Sequence, residues 1–199
     1  MSSTPDKRTS ILASAEIQFS RYGFRRTSMD DIARETGISR ASLYSYFENK
    51  EDIFRGVCEA FFADSFDTAT REMRSLREGK APVDVVERFF VGLCAFYARF
   101  YGVLESTPHG DEIIEASKLG ADIANVYATR KDALLEQELE YAAKAGEIDL
   151  NRANCSAAEL AQSIRLAAGG LKQGAADFAD YQKKLKGFLP VIFAGLRLD

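Results

Sequence analysis

An all-α fold is the class this sequence predicts, and three features carry the prediction. Apolar residues return every three or four positions along most of the 199 residues, which is the helical period. Helix starts and stops are marked by serine and asparagine caps and by glycines. No stretch alternates apolar and polar residues as a half-buried strand does, and no internal repeat interrupts the pattern. About nine helices are expected.

Ile11, Leu12, Ala15, Phe19 and Tyr22 define a first helix that ends at Gly23. Ser28, with Asp31 three residues on, is an N-cap for a second helix running to about Thr36, and Gly37 ends it with a left-handed residue. Ser39 caps a third helix, on which Leu43 and Phe47, with Ile38 before them, face the core. Small Ala33 lets the second and third helices cross closely, as a helix-turn-helix requires. Asn49 caps a long fourth helix through Ile53, Phe54, Phe61, Phe62, Phe66 and Met73 towards Leu76, with Gly79 and Pro82 marking its end. From Val85 to Tyr101 a helix is apolar over much of its circumference and is expected to be central, and the stretch from Gly102 to Gly110 breaks it. A short helix over 111–118 and a long one over 121–144 follow, the latter stopped by Gly146. Ser156 and Glu159 form a capping box for a helix continuing to about Phe178, and a last helix spans about Tyr181 to Leu198.

If Leu43 and Phe47 face inward, then Ser39, Arg40, Ser42, Tyr44, Ser45 and Tyr46 present hydroxyls, rings and one guanidinium outward. Such a surface suits phosphate oxygens and base edges. Arg40 is the candidate for reading guanine, by the bidentate contact that arginine makes in the major groove. Lys50, at the start of the fourth helix, is placed to hold a backbone phosphate together with that helix's free amides.

Phe19 to Gly23, Thr27-Ser28-Met29-Asp30-Asp31-Ile32-Ala33 and Gly37 to Glu51 together resemble the N-terminal signature of the tetracycline-repressor (TetR/AcrR) family of bacterial transcription regulators. The resemblance covers about the first quarter of the chain. It implies a helix-turn-helix DNA-binding domain over residues 1–48 and a helical effector-binding and dimerisation domain over 49–199. It also implies a homodimer that represses from a palindromic operator and is released by a small molecule. Thr27, Ser28, Tyr44, Tyr46 and Lys50 match phosphate-contacting positions of the family, and Arg40, Ala41, Ser42 and Ser45 match positions facing bases. Ala41 stands where the family often has glycine and Tyr46 where histidine is frequent.

The net charge is −4, but it is unevenly spread. Residues 1–55 hold nine basic against eight acidic side chains, and the rest 17 against 22. DNA binding is thus expected to be electrostatically modest, with Arg25, Arg26, Arg40 and Lys50 gathered on one side. A polar N-terminus and the lack of any apolar run near 20 residues argue for a cytoplasmic protein without membrane contact. Cys58, Cys94 and Cys155 are far apart and form no Cys-x-x-Cys pair, so they are expected to stay reduced and partly buried. A redox-responsive DNA-binding regulator working through Cys58 or Cys94 is the alternative function.

Two readings of the body stand side by side. Phe62, Phe66, Phe89, Phe96, Tyr97 and Phe100, with Tyr127, either line an effector cavity or simply fill the core. His109 sits in a loop and is either solvated or, as the family resemblance implies, at the pocket entrance. Ala167, Ala168, Gly169, Gly170, Gly174 and Ala175 thin out a helix at a cost that close helix approach offsets. That approach is either within one subunit or between two; the resemblance favours a dimer contact through Leu166, Gly170, Gly174, Phe178, Phe188 and Ile192. No nucleophile, base and orienting group share a motif, so no catalysis is expected. No cofactor is expected, and one histidine beside Asp111 and Glu112 is too little for a metal site.

Overall fold

The computed structural model describes residues 6–81 and 83–197, and among them the fold is all-α. Nine α-helices are joined by loops and two tight 3-10 turns, and the one strand-like feature is an isolated bridge between Ile148 and Arg197. The helices are α1 (Lys7–Tyr22), α2 (Met29–Thr36), α3 (Arg40–Tyr44), α4 (Lys50–Arg77), α5 (Val85–Ser106), α6 (Gly110–Ala116), α7 (Ala121–Lys144), α8 (Ala157–Gln173) and α9 (Phe178–Ala194). Pro82 and Leu198, named above as helix markers, lie outside the described residues. Among the described residues no helix is long and apolar enough to cross a membrane.

The chain groups into two compact units that do not follow the division at residue 48. One holds residues up to Ala63 together with 102–125, and the other holds 64–101 together with residues from Val126 onward. The reason is apolar coverage. Ile11, Ala15, Phe19, Ile32, Leu43 and Phe47 make a core that Ile53, Phe54 and Cys58 of α4 complete, and Ala116 of α6 closes it. Phe19, Phe24 and Phe54 meet there with ring centroids 5.0 to 5.5 Å apart. Arg25 bridges to Glu115 at 2.6 Å, and Arg55 forks onto Asp122 at 2.7 and 2.8 Å.

The second unit is built on α5. Phe89, Leu93 and Phe96 pack with Leu135 and Leu139 of α7, Ile164 and Ala168 of α8, and Tyr181, Leu185, Leu189 and Phe193 of α9. Gly92 lets α4 come close: a Cβ there would lie 2.3 Å from the Met73 sulfur. One ionic network is buried in this core. Arg88 donates from Nε to Glu138 at 2.5 Å and from its other nitrogens to Glu147 at 3.0 and 3.2 Å. Bidentate geometry offsets much of the desolvation of such a pair, and removing either partner would strand a buried charge.

Several helix ends differ from expectation for local reasons. The third helix has five residues, because the backbone amides of Tyr46 and Phe47 both turn back onto the Leu43 carbonyl, at 3.0 and 3.1 Å. α5 runs on through Gly102 to Ser106. α6 stops at Ala116, and residues 117–120 tighten into a 3-10 turn. α8 stops at Gln173 instead of Phe178, with Gly174 as its C-cap; Asp177 then accepts from the Asp180 amide at 2.8 Å and starts α9 early, at Phe178.

Candidate nucleic-acid interface

Caps define the reading head. Ser28 Oγ accepts from the Asp31 amide at 3.2 Å, while the Asp31 carboxylate accepts from the Ser28 amide at 3.0 Å. The Ser28 hydroxyl, donating to Asp31 at 2.6 Å, is the main cause of an Asp31 carboxyl held below its usual range. Gly37 takes the left-handed conformation, φ 71° and ψ 34°, which a Cβ would strain, and its amide returns to Ala33 and Arg34. Ser39 Oγ then accepts from the Ser42 amide at 3.1 Å and starts α3.

Burial of Leu43 and Phe47 fixes what faces outward. Ser28, Ser39, Arg40, Ala41, Tyr44, Ser45 and Tyr46 are exposed and Ser42 is half-buried, so most of the expected contact residues share the solvent side of the turn and α3. Arg40 is already oriented there. It donates to Asp30 at 3.0 Å and to the Tyr44 hydroxyl at 3.4 Å, with its guanidinium 5.5 Å from the Tyr44 ring centroid. The Tyr44 hydrogen bond first, and Asp30 after it, raise its pKa further. Asp30 is a functional neighbour that sequence reading missed, since nothing in a ten-residue separation signals the pairing.

Two expected phosphate contacts are engaged inside the head. Thr27 is 2% exposed and donates its hydroxyl to the Gly23 carbonyl at 2.8 Å. Lys50 donates to the Phe24 carbonyl at 2.8 Å and lies 4.5 Å above the Phe24 ring. Both therefore hold the loop that joins α1 to α2. Lysine has three N–H donors, and Lys50 spends them first on this loop, with the Arg25 carbonyl a longer second acceptor at 3.4 Å. The basic residues expected on one side are largely matched: Arg25 by Glu115, Arg40 by Asp30 and Lys50 by carbonyls.

The expected effector residues divide between the two units. Phe66, Phe96, Tyr97, Phe100 and Tyr127 belong to the second, where Phe66 meets Phe96 at 6.3 Å and Tyr127 at 6.2 Å and Tyr97 meets Tyr181 at 5.5 Å. Phe89 is also there, buried against Phe193 at 5.1 Å, and Phe96 is buried in the same core at 2% exposure. Phe62 packs instead on the first unit's core, and His109 is the N-cap of α6 in that unit, with no side-chain capping bond. Of the two acids beside it, Glu112 accepts from the Arg25 amide, and the Asp111 side chain lies outside the described residues. Sequence reading missed Lys131, which follows Tyr127 by one helical turn on the buried face of α7. A charged residue in that apolar register was the available signal.

Of the expected dimer residues, Leu166 and Gly170 are exposed on α8, and Gly174 caps that helix with its carbonyl accepting from Lys184 at 2.7 Å. Phe188 and Ile192 are half-buried, with outer edges beside exposed Gly187, Pro190, Val191 and Ala194. Phe178 turns inward, onto Tyr101 and Tyr181. Burial pushes the Cys58 and Cys94 thiols up to about 11, the opposite of a reactive thiolate, so the redox alternative finds no support; Cys155 is exposed rather than partly buried.

Comparison with known proteins adds the family. Residues 11–57, from α1 to the second turn of α4, match the family of "Bacterial regulatory proteins, tetR family". The chain is 44% identical over 55 residues to the HTH-type transcriptional regulator YfiR of Bacillus subtilis strain 168, an alignment spanning 27% of each protein. It is 26% identical over 186 residues to the HTH-type transcriptional repressor ComR of Escherichia coli K12, covering 90% of this chain and 84% of that one. In fold it is similar to a transcriptional regulator from Cytophaga hutchinsonii, with a TM-score of 0.78, 18% identity, and coverage of 96% of this chain and 99% of the other. The capped helix-turn-helix head, residues 11–57, is thus a DNA-binding domain of the tetR family of bacterial regulatory proteins, and an all-helical body follows it.

Proposed function

We propose that the protein is a ligand-responsive repressor that occupies a palindromic operator as a homodimer in the cytoplasm and leaves it when a small effector with an apolar or aromatic part enters the body. The observation that carries the reading is the solvent side of the head: Arg40, Tyr44, Ser45 and Tyr46 are exposed on α3 and the turn that follows it, whose inner side is buried. Arg40 reads guanine, Tyr44 and Tyr46 hold phosphates, and Ser28 and Ser39 meet the backbone beside the capped helix starts. The dimer is supported by an unpartnered small-residue and apolar strip: Leu166 and Gly170 on α8 with Gly187, Pro190, Val191 and Ala194 on α9. Two heads then sit about one DNA turn, or a multiple, apart. A ligand that prefers another spacing weakens operator binding by its coupling energy, typically ~1 to 3 kcal/mol.

The test is selection of bound fragments from genomic DNA, followed by titration of the purified protein on the selected site at rising salt. Sequence-selective binding that weakens as salt rises is expected, with Tyr44→Ala weakening it and leaving the dimer intact. A protein that shows no preference over random DNA, or stays monomeric on the selected site, removes the proposal.

A further inference from the structure

Three cations of α7 and α8 converge on one tyrosine of α5. Lys131 is 8% exposed, and its Nζ lies 5.0 Å from the Tyr97 ring centroid and 4.8 Å from that of Phe96. Lys172 Nζ lies 5.7 Å from the same Tyr97 ring and 3.9 Å from Phe100. Arg165, Gly169 and Lys172 follow one another by four and three residues, so they share one face of α8. Gly169 lies against the Tyr97 hydroxyl, where a Cβ would stand 3.7 Å away.

The charges there do not balance. Arg165 is matched by Asp132 at 2.5 Å. Among the described residues, Lys131 and Lys172 have no acidic partner; ring faces attend both ammonium groups, Lys131 buried and Lys172 half-buried. Burial, with the charges of Lys172 and Arg165 adding to it, lowers Lys131 to about 8, so near neutral pH it is still mostly protonated. Tyr181, fully buried, packs on the same Tyr97 ring at 5.5 Å, and its hydroxyl has no hydrogen-bond partner among the described residues. Buried cations are ordinarily paired, and buried hydroxyls ordinarily bonded. Ring faces compensate a buried ammonium only in part. Two ammonium groups without an acidic partner and an orphan phenol around one ring make a set of donors that suits an anion.

We propose that Lys131, Lys172 and the Tyr181 hydroxyl form the anion-binding end of the effector site, and that the effector is an organic acid whose carboxylate they hold while its apolar body lies along Phe66, Phe96 and Phe100. This deepens the reading of the body as an effector-binding domain and rests on it. A carboxylate offers two oxygens, one to each ammonium, and can also accept from the phenol.

The experiment uses the full chain and two matched probe pairs, octanoate against octanamide and 1-naphthoate against 1-naphthamide, each pair alike in shape and differing in charge. In calorimetric titration at least one acid binds on the order of ten-fold tighter than its amide, and Lys131→Met or Lys172→Met brings the two within about two-fold of each other. Without ligand, Lys131→Met melts no lower than the parent, because the charge it removes has no counter-ion. Acid and amide bound alike in both pairs, or none of the four bound, overturns the inference, and so does a Lys131→Met protein that melts several degrees lower. Operator binding is measured on the same preparations. A protein that holds its selected DNA site but does not tell acid from amide loses this inference alone; one that prefers the acid but selects no DNA loses the regulator reading instead.

Discussion

Arg40 meets Asp30 and Tyr44 before any DNA is present, which restrains a side chain that would otherwise lose much rotamer freedom on docking. Both partners are exposed, so the pair adds little stability and its value lies in aim. If Arg40 reads guanine as proposed, Arg40→Ala is expected to cost about 1 to 3 kcal/mol of discrimination at that base, with affinity for random DNA nearly unchanged; competition between selected and scrambled duplexes measures it. Lys131 gives a second prediction at this scale. Its ordinary value is 10.5 and its folded value about 8, so between these the unfolded chain holds a proton that the folded chain has released. Stability therefore gains from this group as pH rises from 8 towards 10.5, and the gain is absent in Lys131→Met; urea unfolding of both proteins at a series of pH values reads the difference. Ser28, Ser39 and Asn49 were legible as caps because their bonds are local in sequence, with the Asn49 side chain accepting from the Asp52 amide at 2.8 Å. Lys50 and Thr27 were read for their family positions, while their main partners, the carbonyls of Phe24 and Gly23, depend on how a loop folds back.

At the level of helices, period and caps were enough to find all nine, and the errors lie at ends where a few backbone bonds decide. The α8 to α9 junction is the clearest case: small residues continue a helical pattern past Gly174, but Asp177 captures the Asp180 amide and begins a new helix. Close approach was foreseen on α8, yet the tightest one is on α5. Gly92→Ala drives a Cβ against Met73 and is expected to cost about 1 to 3 kcal/mol, seen as a lower thermal midpoint with unchanged helical circular dichroism at 20 °C. The strip on α8 and α9 makes its own prediction. Val191 is 72% exposed and Leu166 59%, so Val191→Asp leaves the fold intact and weakens self-association by about 2 kcal/mol or more, read by sedimentation equilibrium. Which aromatic rings would serve a ligand was not legible, because core and pocket rings share one period. Phe89 and Phe96 differ only in the neighbours that the assembled helices supply.

For the whole chain, the modest charge of residues 1–55 is smaller still in effect, since Arg25 and Arg55 are engaged by acids from beyond residue 100. Asp122 registers the second of these pairs: the Arg55 hydrogen bond is the chief cause of a carboxyl lowered to about 2 from its ordinary 3.8. The stability it contributes is complete above about pH 4 and is lost as pH falls through about 2, so Arg55→Leu should flatten part of the acid limb of an unfolding curve between those values. The division into two units was not legible in the sequence, because the partners that seal the head arrive from a distant segment. That interleaving limits how the protein can be re-engineered. A chimera that transplants residues 1–48, or even 1–63, onto another regulator leaves Arg25 and Arg55 without Glu115 and Asp122 and uncovers Cys58 where Gly120 now touches it. To exchange operator preference between such proteins, the graft has to carry residues 102–125 along with the N-terminal helices.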